Sequence, residues 1–469
     1  MYLETHFTPG LAIASHLVGD ESQGVAAAID PTRDVRPLID AADAAGLTIT
    51  HVLETHVHAD FVSGARELKA ALDGAPEIVC SGLGGQEWTP RYADRVVDDE
   101  DSLDLGDVRL TAIHTPGHTP EHVCWAAFDT ARSGDVPCSL FTGDFLFVGD
   151  VGRPDLLGEK EQQRLAHLLY DSLFDRLAEL PDGVEALPSH GAGSLCGKSL
   201  SGKRRSTLGY ERAVSEAFQR RSEAEWVANL MDGMPPSPPY FKRMKALNVA
   251  EPAVLGALPI ELPALSPDAV AKRADDGAIL LDVRSKEAFA AAHVAGSLNV
   301  PLADQLATWA GWVVPADRPI VLIADDRNDA RAASRQLHLV GFDEQVGFLA
   351  GGLPAWESAG RPTAGYPAID ARIFKTRVEA DVTAVLDVRT ESEWNAGHIP
   401  GAVHVHAGLL NDRLDDVPRD KPLSVVCGSG YRGAIAVSVL RRAGFEDTAN
   451  VLGGMAAYQA AGGATVSGD

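Results

Sequence analysis

Long apolar runs are missing from this chain: no stretch approaches the roughly 20 consecutive apolar residues that a membrane-spanning helix requires. The first residues offer only Leu11 to Val18 as an apolar run, preceded by Glu4 and His6. With no basic n-region and no small-residue cleavage site, no secretory signal is expected. Cysteine is scarce too. Cys80, Cys124, Cys138, Cys196 and Cys427 form an odd, scattered set, which argues against a disulfide framework and for a reducing, cytoplasmic setting. Positive charge is in short supply, 41 Lys and Arg against 66 Asp and Glu, a formal net charge of −25. That excess disfavours nucleic acid and anionic membrane as partners. It leaves an anionic small substrate open, and Lys198, Lys203, Arg204 and Arg205 read either as a substrate clamp or as a solvated loop.

A chain of 469 residues, 45% hydrophobic and 23% charged, exceeds a single core and suits roughly three or four domains. An internal repeat marks two of them. Leu281-Asp282-Val283-Arg284 recurs as Leu386-Asp387-Val388-Arg389, and His293 and Gly296 map at the same offset onto His398 and Gly401. Gly341-Phe342 and Gly351-Gly352 recur as Gly444-Phe445 and Gly453-Gly454. A register held this long indicates duplicated domains. Each copy alternates short apolar strands with helices, which predicts a parallel sheet covered on both faces, with sites at the carboxyl ends of its strands. The run Pro235-Pro236-Ser237-Pro238-Pro239 breaks structure upstream of the repeat. We therefore expect domains at 1–255, 256–366 and 367–469.

The first domain places metal-ligand residue types just past three apolar strands: Thr55-His56-Val57-His58-Ala59-Asp60-Phe61, Thr115-Pro116-Gly117-His118-Thr119, and Phe141-Thr142-Gly143-Asp144. A fourth histidine stands in Leu187-Pro188-Ser189-His190-Gly191. A lone His-x-His arises by chance, but this ordered series does not. Imidazole and carboxylate donors suit a divalent transition metal.

The set resembles the metallo-β-lactamase superfamily, which implies an αββα sandwich with metal at one edge. Two-metal hydrolases of that superfamily, such as glyoxalase II, carry a further histidine where this chain has Phe61. An aromatic ring offers no lone pair, and Asp60 with His190 would hold a second cation poorly, so one metal is expected. Two histidines and one carboxylate form the facial set of non-haem Fe(II) oxygenases. The resemblance narrows to the persulfide dioxygenases, and carried over it makes His56, His118 and Asp144 the ligands of one Fe(II) per chain, with Zn the lesser choice. His58, Asp60 and His190 would then lie behind the ligands. The stretch Val151-Gly152-Arg153-Pro154-Asp155 matches an element of that family. Arg153 there either pairs with Asp155 or biases the metal site. Cys196, six residues past His190, is either a sulfur carrier beside the metal or an inert loop thiol.

The last domain contains Val425-Val426-Cys427-Gly428-Ser429-Gly430-Tyr431-Arg432-Gly433 between a strand and a helix. Gly428, Ser429, Gly430, Tyr431 and Gly433 suit a nest of backbone N–H groups at a helix N-terminus. With Arg432 nearby, this setting should favour a nucleophilic thiolate at Cys427. Four residues separate Cys427 from Arg432, one fewer than in protein tyrosine phosphatases, and the tighter loop resembles rhodanese-type sulfurtransferases. Aligning the repeats places Ala324, or Asp325 on a one-residue slip, opposite Cys427, so the middle domain is expected to be catalytically silent. The resemblances imply oxidation of a low-molecular-weight persulfide by O₂ to thiol and sulfite, coupled to thiosulfate formation or use at Cys427, in a homo-oligomer. The alternative is a zinc thioester hydrolase of the glyoxalase II kind fused to a sulfurtransferase.

Overall fold

The computed structural model describes residues 1–256 and 258–468. It divides into two compact units, Met1–Leu258 with Leu339–Gly341, and Pro259–His338 with Phe342–Asp469. Among the described residues no helix is long and apolar enough to cross a membrane.

In the first unit, β1 (Tyr2–Thr8), β2 (Ile13–Asp20), β3 (Val25–Ile29), β4 (Thr48–Leu53), β5 (Glu77–Ser81) and β6 (Arg95–Val97) form one sheet in sequence order. The second sheet runs β12 (Ser206–Thr207), β11 (Glu185–Pro188), β10 (Ser139–Gly143), β9 (Val123–Asp129), β8 (Val108–His114) and β7 (Ser102–Leu105). Side-chain alternation sorts their residues into layers. Ala27 and Ile29 of β3 join Val123, Trp125 and Ala127 of β9 in the core between the sheets. Ala26 and Ala28 instead meet Leu38 and Ala42 of the helix Arg36–Ala45. Cys124 and Ala126 meet Ala166 and Leu169 of the helix Glu159–Asp171. The result is the expected αββα sandwich, each large buried apolar side chain contributing about 1.5–3 kcal/mol. Asp30, His56, His118, Asp144 and His190 each follow closely on the end of a strand, so the rigid sheets aim them at one rim.

The second unit holds both copies of the repeat. The first copy orders its strands β13 (Ala264–Leu265), β18 (Gln345–Leu349), β17 (Ile320–Ile323), β14 (Ile279–Asp282) and β16 (Leu298–Asn299), with a short pair β15 (His293–Val294) and β19 (Thr363–Ala364) beside it. The second orders β20 (Ala368–Ile369), β24 (Thr448–Val451), β23 (Leu423–Val426), β21 (Ala384–Asp387) and β22 (Val403–His404), the same topology with every pairing parallel.

The repeated motifs are scaffold. In both copies the arginine grips its own aspartate, Arg284 Nη2 to Asp282 Oδ2 and Arg389 Nη2 to Asp387 Oδ2 at 2.6 Å each. The same nitrogen then donates to Ala292 O in one copy and Gly397 O in the other. These pairs are buried, and losing one partner of such a pair costs roughly 3–5 kcal/mol. His293 stacks on Phe289 at 3.9 Å, and His398 on Trp394 at 3.6 Å.

Candidate metal centre and sulfur-transfer loop

His56, His118 and Asp144 converge, with one donor atom of each within 4.8 Å of the others and all three buried. Asp144 Oδ2 lies 3.7 Å from His56 Nε2 and 3.6 Å from His118 Nε2. Each imidazole is anchored by its other nitrogen: His56 Nδ1 sits 2.9 Å from Thr55 Oγ1, and His118 Nδ1 2.9 Å from Arg153 O. Both Nε2 atoms and both Asp144 oxygens are buried with no hydrogen-bond partner among the described residues. Leaving such polar groups unpaired is costly, and a bound cation would satisfy all of them at once. Burial, then the positive field of His58, pushes the His56 pKa well down, and burial also lowers that of His118. Burial would raise Asp144, but His190 and His56 overcome it and hold the carboxyl well below its usual range. Neutral imidazoles and an ionised carboxylate are the protonation states that metal binding requires. The donors fit a divalent transition metal.

The remaining predicted residues fall into two further groups. His58 Nε2 lies 3.1 Å from Asp30 Oδ1 and 3.3 Å from Glu54 Oε2, all fully buried or nearly so. Burial opposes charging His58, but Asp30 and Glu54 carry its pKa well above the ordinary value. Phe61 closes its other side, ring centres 4.4 Å apart. His190, Asp60 and Cys196 form the third group, within 4.8 Å, with His190 Nε2 3.3 Å from Asp60 Oδ2 and 3.4 Å from Asp144 Oδ1. Cys196 thus lies beside His190 and Asp60. Burial, with Asp60 and Asp144, pushes its thiol well up, so it carries its proton at neutral pH.

Arg153 is fully committed to structure. Its guanidinium pairs with both Asp155 oxygens at 2.6 and 2.7 Å and donates to Leu195 O and Pro235 O, while its carbonyl orients His118. The basic loop does not converge. Lys198 Nζ donates to Asp232 O, Lys203 lies over the Tyr210 ring, Arg204 over Phe7, and Arg205 Nη1 sits 3.5 Å from Glu185 Oε1.

Four buried residues near the centre escape a motif search: Asp30, Glu54, Glu121 and His122. Asp30 accepts from Thr55 N and Oγ1 at 2.8 Å and from Ser189 Oγ at 2.7 Å, which ties the loops of His56 and His190 together. Glu121 Oε1 accepts from Val57 N at 2.8 Å, between the two histidines of the first motif. His122 stacks on His56 at 5.1 Å, and burial holds its pKa down at about 3.

In the last domain Cys427 directly follows β23 and is 1% exposed. Gly430 N donates to its Sγ at 3.0 Å, and Gly430, at φ 94°, opens the helix Tyr431–Arg442. Asn450 Nδ2 donates to Gly430 O at 3.0 Å and fixes the loop's far side. Arg432 donates through Nη1 and Nη2 to Glu393 at 2.6 and 2.7 Å. Burial would raise the Glu393 carboxyl, yet Arg432 and the Thr390 N–H hold it down at about 2. Gly428 has no room to spare, since an added Cβ would stand 3.1 Å from Arg432 Nη2. Tyr431 points its hydroxyl at Pro301 O, 3.3 Å away, and Gly433 lets Asn450 approach.

The middle domain differs at the equivalent place. Ala324 directly follows β17, and Gly352 packs over its carbonyl as Gly454 packs over that of Cys427. Asp326 Oδ1 then accepts from Asn328 N and Asp329 N at 2.7 and 3.0 Å. A resident carboxylate thus takes the N–H groups at the helix start that a nest would offer to an anion.

Residues 17–190 match the metallo-beta-lactamase superfamily, and residues 266–359 and 370–461 each match the rhodanese-like domain. Over 189 residues the chain is 30% identical to the mitochondrial persulfide dioxygenase ETHE1 of Homo sapiens, covering 40% of this chain and 67% of that protein. It is 34% identical over 177 residues to a cytoplasmic hydroxyacylglutathione hydrolase of Arabidopsis thaliana, covering 38% of this chain and 62% of the hydrolase. A crystal structure of a metallo-beta-lactamase from Staphylococcus aureus subsp. aureus COL aligns with a TM-score of 0.67 and 34% identity, covering 74% of this chain and 98% of that one.

Proposed function

The chain belongs to the metallo-β-lactamase superfamily and carries two rhodanese-like domains after that first one, and on that basis we propose that it oxidises a low-molecular-weight thiol persulfide with O₂ and passes sulfane sulfur through Cys427. The observation that carries the first half is the buried trio His56, His118 and Asp144, whose inward-facing donor atoms lack hydrogen-bond partners among the described residues.

The overall oxidation is R–S–SH + O₂ + H₂O → R–SH + SO₃²⁻ + 2H⁺. Fe(II) held by the trio would supply the redox centre at which persulfide sulfur and O₂ react. The protein's part is to keep the two imidazoles neutral and aimed. Thr55 and the Arg153 carbonyl do so through the outer ring nitrogens. Asp30 and Glu54 lie beside His58 Nε2, and the Phe61 ring packs against that imidazole.

In the last domain the Gly430 N–H cradles sulfur on Cys427, and the Glu393–Arg432 pair holds the loop. A persulfide there, Cys427–S–S⁻, meeting SO₃²⁻ would break its S–S bond, free the Cys427 thiolate and form S₂O₃²⁻. The reverse reaction would load Cys427 from thiosulfate.

An iron-reconstituted, reduced sample should contain about one iron per chain, as a single two-histidine, one-carboxylate set holds, and consume O₂ when given a persulfide. A second reading draws on one observation, the third donor that Cys196 adds to Asp60 and His190. It makes the centre a two-metal thioester hydrolase. Two zincs per chain, with hydrolysis of a glutathione thioester and no O₂ uptake, would establish that reading and remove the first.

The silent middle domain carries its own test. Because Asp326 caps the helix start, Ala324→Cys alone should not create a second sulfurtransferase. In a Cys427→Ser background, incubation with thiosulfate should leave the introduced thiol unlabelled by sulfane sulfur. Trapping of a persulfide at that position would show that the nest is open.

A further inference from the structure

Both copies of the repeat lie in one compact unit, and the helix that begins at the Cys427 loop is docked on the silent copy. In the helix Tyr431–Arg442 every residue from Gly433 to Leu440 is buried. Tyr431 Oη donates to Pro301 O at 3.3 Å, and Ser438 Oγ accepts from Asn299 N at 3.0 Å. The silent copy's helix Leu306–Val313 is apolar around almost its whole circumference and nearly all buried, as a helix packed on more than one side is. Val313 O accepts from Asn411 Nδ2 at 3.1 Å, and Trp312 lies so close to Gly408 that a Cβ there would stand 2.3 Å from the indole.

That contact fixes one imidazole. His406 Nδ1 accepts from Gly408 N at 3.3 Å, and its ring meets Trp312 at 5.2 Å and Trp309 at 6.2 Å between centres. The sheet places it at the mouth of the sulfur-transfer loop. Val388 N donates to Val426 O, and Ala407 N donates to Val388 O. Cys427, Val388 and His406 therefore stand on three neighbouring strand ends, those of β23, β21 and β22, with a spacing of about 4.8 Å from each to the next. Burial, then the positive fields of Arg432 and His404, hold the His406 pKa down at about 4. The ring is neutral at neutral pH, and with Nδ1 accepting it carries its proton on Nε2. The side chain is half-buried, and among the described residues no group accepts from that N–H.

Thiosulfate brings three oxygens to this mouth. Loading is Cys427–S⁻ + S₂O₃²⁻ → Cys427–S–S⁻ + SO₃²⁻: Sγ bonds the sulfane sulfur, and the S–S bond of thiosulfate breaks with its electron pair leaving on sulfite. In-line displacement puts the departing sulfite on the far side of the sulfane sulfur from Sγ, outside the loop. Arg432, the loop's own cation, already gives both Nη atoms to Glu393. We propose that His406 Nε2–H receives a sulfonate oxygen of thiosulfate or sulfite, and that Trp312 and Trp309 of the silent domain hold it there. His406 is then a specificity-determining residue for oxyanion sulfur, Trp312 is a positioning residue, and the domain without a cysteine is a wall of its neighbour's site. The proposal rests on Cys427 being the site of sulfur transfer.

The test follows cyanide-dependent thiosulfate turnover by the full chain. Separately, mass spectrometry of the Cys427 peptide follows its loading by inorganic polysulfide, a donor with no oxygen atoms, as Cys427–S⁻ + S₄²⁻ → Cys427–S–S⁻ + S₃²⁻. His406→Leu should raise KM for thiosulfate about tenfold or more, the loss expected for one hydrogen bond to a charged group, with kcat changed far less. His406→Gln, which keeps an N–H at that reach, should restore most of it. Trp312→Ala should raise KM about as much as His406→Leu, Trp312→Phe less, and the double variant Trp312→Ala/His406→Leu no further than either single one. Loading from polysulfide should match wild type in every variant, which separates lost oxyanion recognition from a damaged loop. An unchanged KM in His406→Leu, or an equal loss with both donors, overturns the proposal, and additive effects at the two positions overturn the part given to Trp312. Failure of wild-type Cys427 to load from either donor removes the sulfur-transfer reading, and the proposal with it.

Discussion

Cys427→Ser should abolish thiosulfate sulfurtransfer, with a loss on the order of 10³-fold or more, while O₂ uptake with a persulfide continues. The reason lies in the loop. Sulfane sulfur moves only by attack of, or on, a sulfur atom, and Cys427 Sγ is the atom that the Gly430 N–H addresses at 3.0 Å. A serine hydroxyl fits the space but remains protonated and cannot carry a sulfane sulfur. The geometry around it should persist, because Asn450 and the Glu393–Arg432 pair hold the loop through groups the substitution leaves alone. The measurements are cyanide-dependent thiosulfate turnover and, separately, an oxygen electrode trace. Loss of both activities would show that the two centres do not work independently, and retention of sulfurtransfer would remove Cys427 from its role.

The sequence reveals the parts of this molecule that local chemistry dictates. Three motifs past three strands expose the metal trio, because the αββα sandwich delivers ligands from strand ends and each end keeps its local signature. The register of Asp-Val-Arg and Gly-Gly discloses the duplication, since those residues contact their own domain's backbone. What stays hidden depends on contacts distant along the chain. Asp30 reads as an ordinary residue after an apolar strand, yet it joins Thr55 and Ser189, 25 and 159 positions away. Glu393 shows only as part of a helix cap with Thr390, and its role as the partner of Arg432 needs the folded sheet. The basic run at Lys198 to Arg205 stands out because its charges are close in sequence, but their side chains diverge to four partners. Cys196 has two readings in sequence, and the fold places it beside His190 and Asp60.

Asp144→Asn should empty the metal centre. Asp144 stands between three imidazoles, its Oδ2 facing His56 and His118 at 3.7 and 3.6 Å and its Oδ1 facing His190 at 3.4 Å. Asparagine keeps the shape but removes the only carboxylate of the trio, and with it the charge that neutralises a divalent cation. Its amide also turns two N–H donors toward nitrogens that need a Lewis acid or a proton. Substitutions merely behind metal ligands cost about 10–100-fold in affinity, so loss of a ligand charge should exceed about 100-fold. Iron per chain, measured by mass spectrometry after dialysis, should fall below about a tenth of the wild-type content, and persulfide-dependent O₂ uptake should fall with it. Thiosulfate turnover at Cys427 should stay close to wild type, which separates an empty centre from an unfolded chain. The change also alters the field on His190, whose pKa is lowered by burial but carried well above its ordinary value chiefly by Asp144 and then Asp60. With the Asp144 charge gone, that imidazole should titrate lower, visible in its NMR signals in the metal-free protein. An Asp144→Asn chain that retained a full complement of iron would show that the cation is held elsewhere, with Asp60, His190 and Cys196 the group to test next.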